Sequence, residues 1–147
     1  MDIAMRKYAV IFLFLLVSTI TFGQSKQDQT QILQKCIDLP ELRSYYPIDQ
    51  NGNLKPVYIK FWHPVLIPTD LIVSLGGKDL KFLVMSENRK VDAYLNFKIF
   101  KINSESASVT FDLFYDGPAP QQIAQVNIEF YKTGNNWEIK DSNLIKI

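Results

Sequence analysis

The chain has 147 residues, with 16 basic side chains, 15 acidic side chains and one cysteine. A charge so evenly balanced argues against nucleic acid or an anionic lipid surface as the main partner. A single cysteine excludes an internal disulfide. Since no phosphate-binding glycine loop and no histidine cluster occur, we expect no cofactor, no metal site and no assigned catalytic residue.

The first 23 residues have the pattern of a secretory signal peptide. Arg6 and Lys7 precede a short apolar run at 8–17, and the small residues Thr21 and Gly23 lie just before a polar stretch. The apolar run is shorter than the roughly 20 residues that a membrane-spanning helix needs. We therefore expect an exported protein, periplasmic or secreted, with no membrane span. Residues 24–147 are expected to form one domain with 14 charges of each sign.

A helix is predicted to begin with Asp28 as its N-cap and to end at Pro40. Four apolar side chains follow helical spacing along one stripe: Ile32, Leu33, Cys36 and Ile37. On this stripe the Cys36 thiol is expected to behave as a small buried hydrophobe, with an intermolecular disulfide or a reactive thiol as the alternatives.

The middle of the chain predicts a hairpin followed by two short elements. Residues 45–48 and 57–62 flank Asn51-Gly52, which supplies the positive φ angles of a tight turn. Asp70 is expected to cap a short helical turn that Gly76 stops, and residues 80–85 have the composition of a buried strand.

The last third predicts an antiparallel meander of four strands, at 91–102, 107–115, 123–132 and 137–140. In each strand apolar and polar residues alternate, as in a sheet with one buried face. To keep Ile99 and Phe111 on that face, the first hairpin needs an odd-length loop or a bulge around 103–106. Gly134-Asn135 fits a two-residue type II′ turn that pairs Phe130 with Ile139.

The closing pattern carries a resemblance to known folds. Ala107-Ser108-Val109-Thr110-Phe111 is followed by a Gly-Pro loop, a strand at 126–132, and Gly134-Asn135-Asn136-Trp137-Glu138-Ile139. With the N-terminal helix, this order over residues 28–147 resembles small exported cystatin-like and NTF2-like domains, and Phe22-Gly23-Gln24 resembles signal ends of Bacteroidetes-type bacteria. The resemblance implies an α+β fold in which the helix packs on a curved antiparallel sheet that ends in the four-strand meander.

Six residues are candidates for a ligand site or an interface. Tyr94, Phe100, Phe114 and Tyr131 fall in the strand phase opposite to the core, and contiguous apolar residues on such a face mark binding sites. Trp62 and His63, the only histidine, lie together just before Pro64. The alternative is that residues 45–68 cover this second face as ordinary core.

These observations predict a non-enzymatic binding or interaction module of the cell envelope. Its partner is expected to be a small apolar ligand or a protein, a second copy of the chain included. Two alternatives remain open: a small enzyme, a hydrolase or an isomerase, that uses His63 with a carboxylate, and a protein inhibitor or immunity factor. Asp112 and Glu129 lie in the outward phase of neighbouring strands, where a solvated sheet face explains them.

Overall fold

A computed structural model describes residues 25–83 and 90–147. The predicted signal peptide, its cleavage site and the last two residues of the predicted strand at 80–85 lie outside these ranges. Within the described ranges, no helix is both long enough and apolar enough to cross a membrane.

The predicted helix is present as α1 (Lys26–Ile37), but it begins earlier than expected. Its N-cap is Ser25, whose hydroxyl accepts a hydrogen bond from the backbone N–H of Asp28 at 3.0 Å. Asp28 therefore lies inside the first turn rather than at the N-cap. In the first turn its negative charge interacts favourably with the positive end of the helix dipole. The apolar stripe of α1 is buried as predicted, Cys36 included.

The rest of the fold is dominated by strands. These are β1 (Val57–Phe61), β2 (Ser74–Leu75), β3 (Lys78–Asp79), β4 (Lys81–Phe82), β5 (Ala93–Ile102), β6 (Ser106–Tyr115), β7 (Gln121–Thr133) and β8 (Asn136–Lys146). In the described residues, six of them form one open sheet in the order β4-β1-β5-β6-β7-β8, and β2 and β3 form a separate hairpin.

The predicted fold class, an α+β arrangement on an antiparallel sheet of cystatin-like or NTF2-like type, is wrong. The sheet is mixed, because β1 runs parallel to both of its neighbours, β4 and β5. The helical layer is also small, since it consists of the 12 residues of α1 and a 3-10 helix at Pro40–Tyr45. The last four strands do form an antiparallel meander.

Two predictions for the middle of the chain are wrong as well. Residues 45–48 do not pair with β1; only Ile48 and Leu54 form an isolated bridge around the turn at Gly52. The residues after Asp70 form the extended β2–β3 hairpin instead of a helical turn. Both glycines of that hairpin have positive φ, Gly76 at 59° and Gly77 at 78°, as a type I′ turn requires.

The register of the meander shows where the expected bulge lies. Asn103 N–H donates to the carbonyl of Ser106, so the first hairpin has a two-residue loop. The register shifts inside β5 instead, between the Phe97–Phe111 pair and the Ile99–Thr110 pair. Because one residue is skipped there, Ile99 turns outward and Phe100 enters the core. This corrects the predicted phase of both residues.

The core lies on one face of the sheet, which we call the inner face. On it α1, the 3-10 helix and the segment 65–80 pack against the apolar side chains of the sheet. The four largest of the side chains with less than 2% of their surface exposed are Trp137, Phe97, Phe111 and Phe130. We call the opposite face the outer face. It carries the strand residues that alternate in sequence with those of the inner face.

Candidate functional site

Three of the six candidate residues lie on the outer face. Tyr94 of β5 lies directly opposite Phe114 of β6, and their rings stack at 5.1 Å between centroids with planes 8° apart. Trp62 follows β1, where a turn is closed by a 2.9 Å hydrogen bond from Val65 N–H to the Trp62 carbonyl. Tyr94 pairs with Tyr58 of β1, four positions before Trp62, so the stacked pair and Trp62 lie about 13 Å apart along the strand direction.

Lys60 joins these rings into one row. Its ammonium nitrogen lies 5.0 Å from the centroid of the Trp62 ring and 5.0 Å from that of Tyr94. Both distances are within the range of a cation–π interaction. We call Trp62, Lys60, Tyr94 and Phe114 the outer row. Lys60 was not among the residues predicted from sequence, although its place between Tyr58 and Trp62 in the outward phase of β1 was the available signal.

Exposure differs along the outer row. Trp62 has 47% of its surface exposed, whereas Tyr94 has 8% and Phe114 is half-buried. Burial, with a smaller contribution from the charge of Asp116, raises the pKa of Tyr94, so its hydroxyl stays neutral at physiological pH. Trp62 is thus the accessible end of the row, and the Tyr94–Phe114 stack is its support.

The other three candidates do not join this row. Phe100 lies in the core with 8% exposure, because of the bulge in β5. Tyr131 is exposed on β7, and its hydroxyl donates to a carboxylate oxygen of Glu138 on β8. That hydrogen bond and the negative charge of Glu138 raise the pKa of Tyr131. His63 is exposed beside Trp62.

The geometry gives the enzyme alternative no catalytic pair. Among the described residues, none donates a hydrogen bond to the His63 imidazole or forms an ion pair with it. Glu129 pairs with Ser108, four positions along β6 from Asp112, so the two carboxylates are roughly 13 Å apart along the sheet. Asp112 instead pairs with Lys98 at 3.0 Å.

The described residues place neither a reactive thiol nor a metal-binding cluster. Cys36 is fully buried, and burial raises the pKa of its thiol far above the usual range, which disfavours a reactive thiolate. In the part of the chain that the structure describes, no group of three or more His, Cys, Asp or Glu side chains is placed to hold a metal ion.

Residues 45–68, which were the alternative cover for the second face, divide between the two faces, since Lys60 and Trp62 belong to the outer row. β1 is itself part of the sheet, and Tyr46 packs on the inner face, where its hydroxyl donates to the Ile37 carbonyl at 2.7 Å. The Tyr45 carbonyl accepts a hydrogen bond from Tyr115 in the same region.

We compared the chain with protein-family models, curated proteins and solved structures, and none of them matched. The resemblance of residues 28–147 to small exported domains stays a prediction from the sequence.

Proposed function

We propose that this chain is an exported, non-enzymatic interaction module of the cell envelope, and that the outer row is its contact surface for a protein partner. The export half of the proposal rests on the basic and apolar pattern of residues 1–23. The interaction half rests on one observation: an exposed tryptophan, Trp62, is held in a fixed row by a lysine and a stacked aromatic pair.

Tryptophan and tyrosine are enriched among the few residues that supply most of the binding energy of protein interfaces. A ring held in place beforehand loses less side-chain entropy on binding than a free one. Lys60 restrains Trp62 from one side, and the Tyr94–Phe114 stack restrains Lys60 through the Tyr94 ring. The row forms part of an open sheet face, which suits a protein surface better than a small enclosed ligand.

An inhibitor or immunity factor would use the same kind of contact, and loss of the partner's activity in the complex would distinguish that case. The enzyme alternative has less support, because His63 has no carboxylate beside it among the described residues.

The test is native mass spectrometry of the mature protein purified from an exporting host, with two variants. Trp62→Ala removes the exposed ring, and Ile145→Ala is a matched control because Ile145 is 46% exposed and lies on β8 at the other edge of the sheet. We expect a stoichiometric complex, with another polypeptide or with a second copy, that Trp62→Ala abolishes and Ile145→Ala retains.

Two outcomes would contradict the proposal. A complex that survives Trp62→Ala would place the interface elsewhere. A monomer without a partner, in wild type and variants alike, would remove the proposed role of the outer row.

A further inference from the structure

A second surface feature lies away from Trp62, where the chain enters β1. It is a cleft of about 200 Å³ between the start of β1, the β2–β3 hairpin and the residues that lead into β4. Five apolar side chains form its walls: Leu54, Pro56, Val57, Leu75 and Leu80. Since the volume exceeds the roughly 150 Å³ of an apolar cavity that holds benzene, the cleft has room for a ring or a short chain.

The wall of the cleft is held in place from two sides. Gln34 of α1 clamps the hairpin, because its carbonyl oxygen accepts from Ser74 N–H at 2.9 Å and its amide nitrogen donates to the Ser74 carbonyl at 2.8 Å. At the other end the turn rests on Leu54, whose Cδ1 would be only 2.7 Å from a Cβ at Gly76. A side chain at Gly76 would have to displace the Leu54 methyl group, and the positive φ of Gly76 would strain its backbone.

The rim of the cleft is cationic. Three lysines line it, Lys55, Lys78 and Lys81, against one acid, Asp79, which leaves two positive charges in excess at neutral pH. Lys55 forms an ion pair with Asp92, with 3.5 Å between the ammonium nitrogen and a carboxylate oxygen. Within residues 25–83 and 90–147, neither Lys78 nor Lys81 forms an ion pair.

We propose that this cleft binds a small amphipathic carboxylate. Its apolar part, of about six to eight carbons for this volume, contacts the leucine and valine walls, and its carboxylate is held by Lys78 and Lys81. The pairing follows from the two halves of the site: apolar walls favour a dehydrated tail, and unpaired ammonium groups at the rim favour an anion. The proposal goes beyond the outer row and does not depend on it.

The first test is calorimetric titration of the mature protein with octanoate, octanamide and acetate. Octanamide has the same chain without the charge, and acetate has the charge without the chain. We expect saturable, one-to-one binding of octanoate at least tenfold tighter than that of either control compound. Equal binding of octanoate and octanamide, or the absence of saturable octanoate binding, would overturn the proposal.

The second test locates the site. In Lys78→Gln and Lys81→Gln the affinity for octanoate should fall about fivefold per lysine, the scale of one exposed ion pair. Lys101→Gln is the matched control, because Lys101 is an exposed lysine of β5 that does not line the cleft. All three positions are exposed, so the fold should persist, and unchanged melting temperatures would verify this.

Unchanged octanoate affinity in both cleft variants would contradict the assignment, and so would an equal loss in Lys101→Gln. Trp62→Ala should leave octanoate binding unaltered. A failure of the cleft proposal is therefore distinguishable from a failure of the outer row as an interface.

Discussion

Asp28 is one of the residues that attach α1 to the sheet. Its carboxylate accepts a 2.9 Å hydrogen bond from the indole N–H of Trp137 and pairs with the Lys132 ammonium at 3.0 Å. Burial raises the pKa of Asp28, but the hydrogen bonds from Trp137, Lys132 and Ser25 outweigh that effect and the net pKa is lowered. The charged carboxylate thus ties the first turn of α1 to the β7–β8 hairpin.

We predict that Asp28→Ala lowers the free energy of unfolding by about 2 kcal/mol at pH 7, since the hydrogen bonds to a charged group are lost. A carboxylate with a lowered folded-state pKa stabilises the fold above its unfolded pKa, and this stabilisation is lost as pH falls through the folded value. The difference between wild type and variant should therefore shrink below about pH 4.

Urea denaturation at pH 7 and at pH 3 measures both quantities. Asp141→Ala, which removes an exposed carboxylate from β8, is the control and should stay within about 0.5 kcal/mol of wild type. A deficit of Asp28→Ala that is the same at both pH values would show that the charge of Asp28 contributes nothing.

Residue-scale prediction from sequence succeeded where strand phase decided the outcome. Tyr94 and Phe114 lie on the outer face because they alternate with buried neighbours. Lys60 was missed because a cation–π contact depends on which strand lies beside β1, and single-strand alternation does not encode the neighbour. The Asp28–Trp137 contact, 109 positions apart in sequence, was hidden for the same reason.

At the scale of elements, the bulge in β5 decides which large side chains reach the core. It places Phe100 beside Phe97, with the two rings edge to face at 6.1 Å, and turns Ile99 outward to 40% exposure. The sequence indicated the need for one extra residue, because a two-residue turn without a bulge would pair polar residues of one strand with apolar residues of the other. Its position was not visible, since a bulge satisfies the same parity anywhere between Phe97 and the loop.

The bulge predicts that Phe100 contributes more to stability than Ile99, whereas simple alternation predicts the reverse. Phe100→Ala should lower the free energy of unfolding by about 3 kcal/mol, as for other buried phenylalanines. Ile99→Ala should cost less than about 1 kcal/mol, because its side chain is largely outside the core. Chemical denaturation of the two variants checks this, and a larger loss for Ile99→Ala than for Phe100→Ala would contradict the register.

The β7–β8 hairpin, in contrast, follows its local sequence closely. Thr133 pairs with Asn136 across Gly134-Asn135, and Phe130 pairs with Ile139, as the two-residue turn predicts. Gly134 has a φ of 60°. Asn135 does not have a positive φ, because among the described residues only glycines do. A positive φ at the first turn residue alone is the type II′ pattern. The turn residues determine the register from Thr133 back to Phe130, and a register shift between Glu129 and Phe130 changes the pairing beyond that point.

At the scale of the whole molecule, the mixed sheet is the feature that sequence patterns did not predict. The alternation of β1 is compatible with either strand direction, and the Asn51-Gly52 turn favoured an antiparallel hairpin. The segment 65–80 overrides this preference, because its buried Val65, Ile67 and Val73 cover the inner face as the chain crosses from β1 to β4. The observed strand direction is therefore the one that buries this segment and not the one that the local turn favoured.

This architecture places the outer row on the face of the sheet opposite to the core, with Trp62 as its exposed tip. The most direct test of its role is photo-crosslinking in living exporting cells, with benzoylphenylalanine in place of Trp62 or, as the control, in place of Ile145. Our account predicts a crosslinked species of defined mass from position 62, either a heterocomplex or a dimer, and none from position 145. No crosslink from position 62, or the same species from both positions, would contradict the outer row as the contact surface.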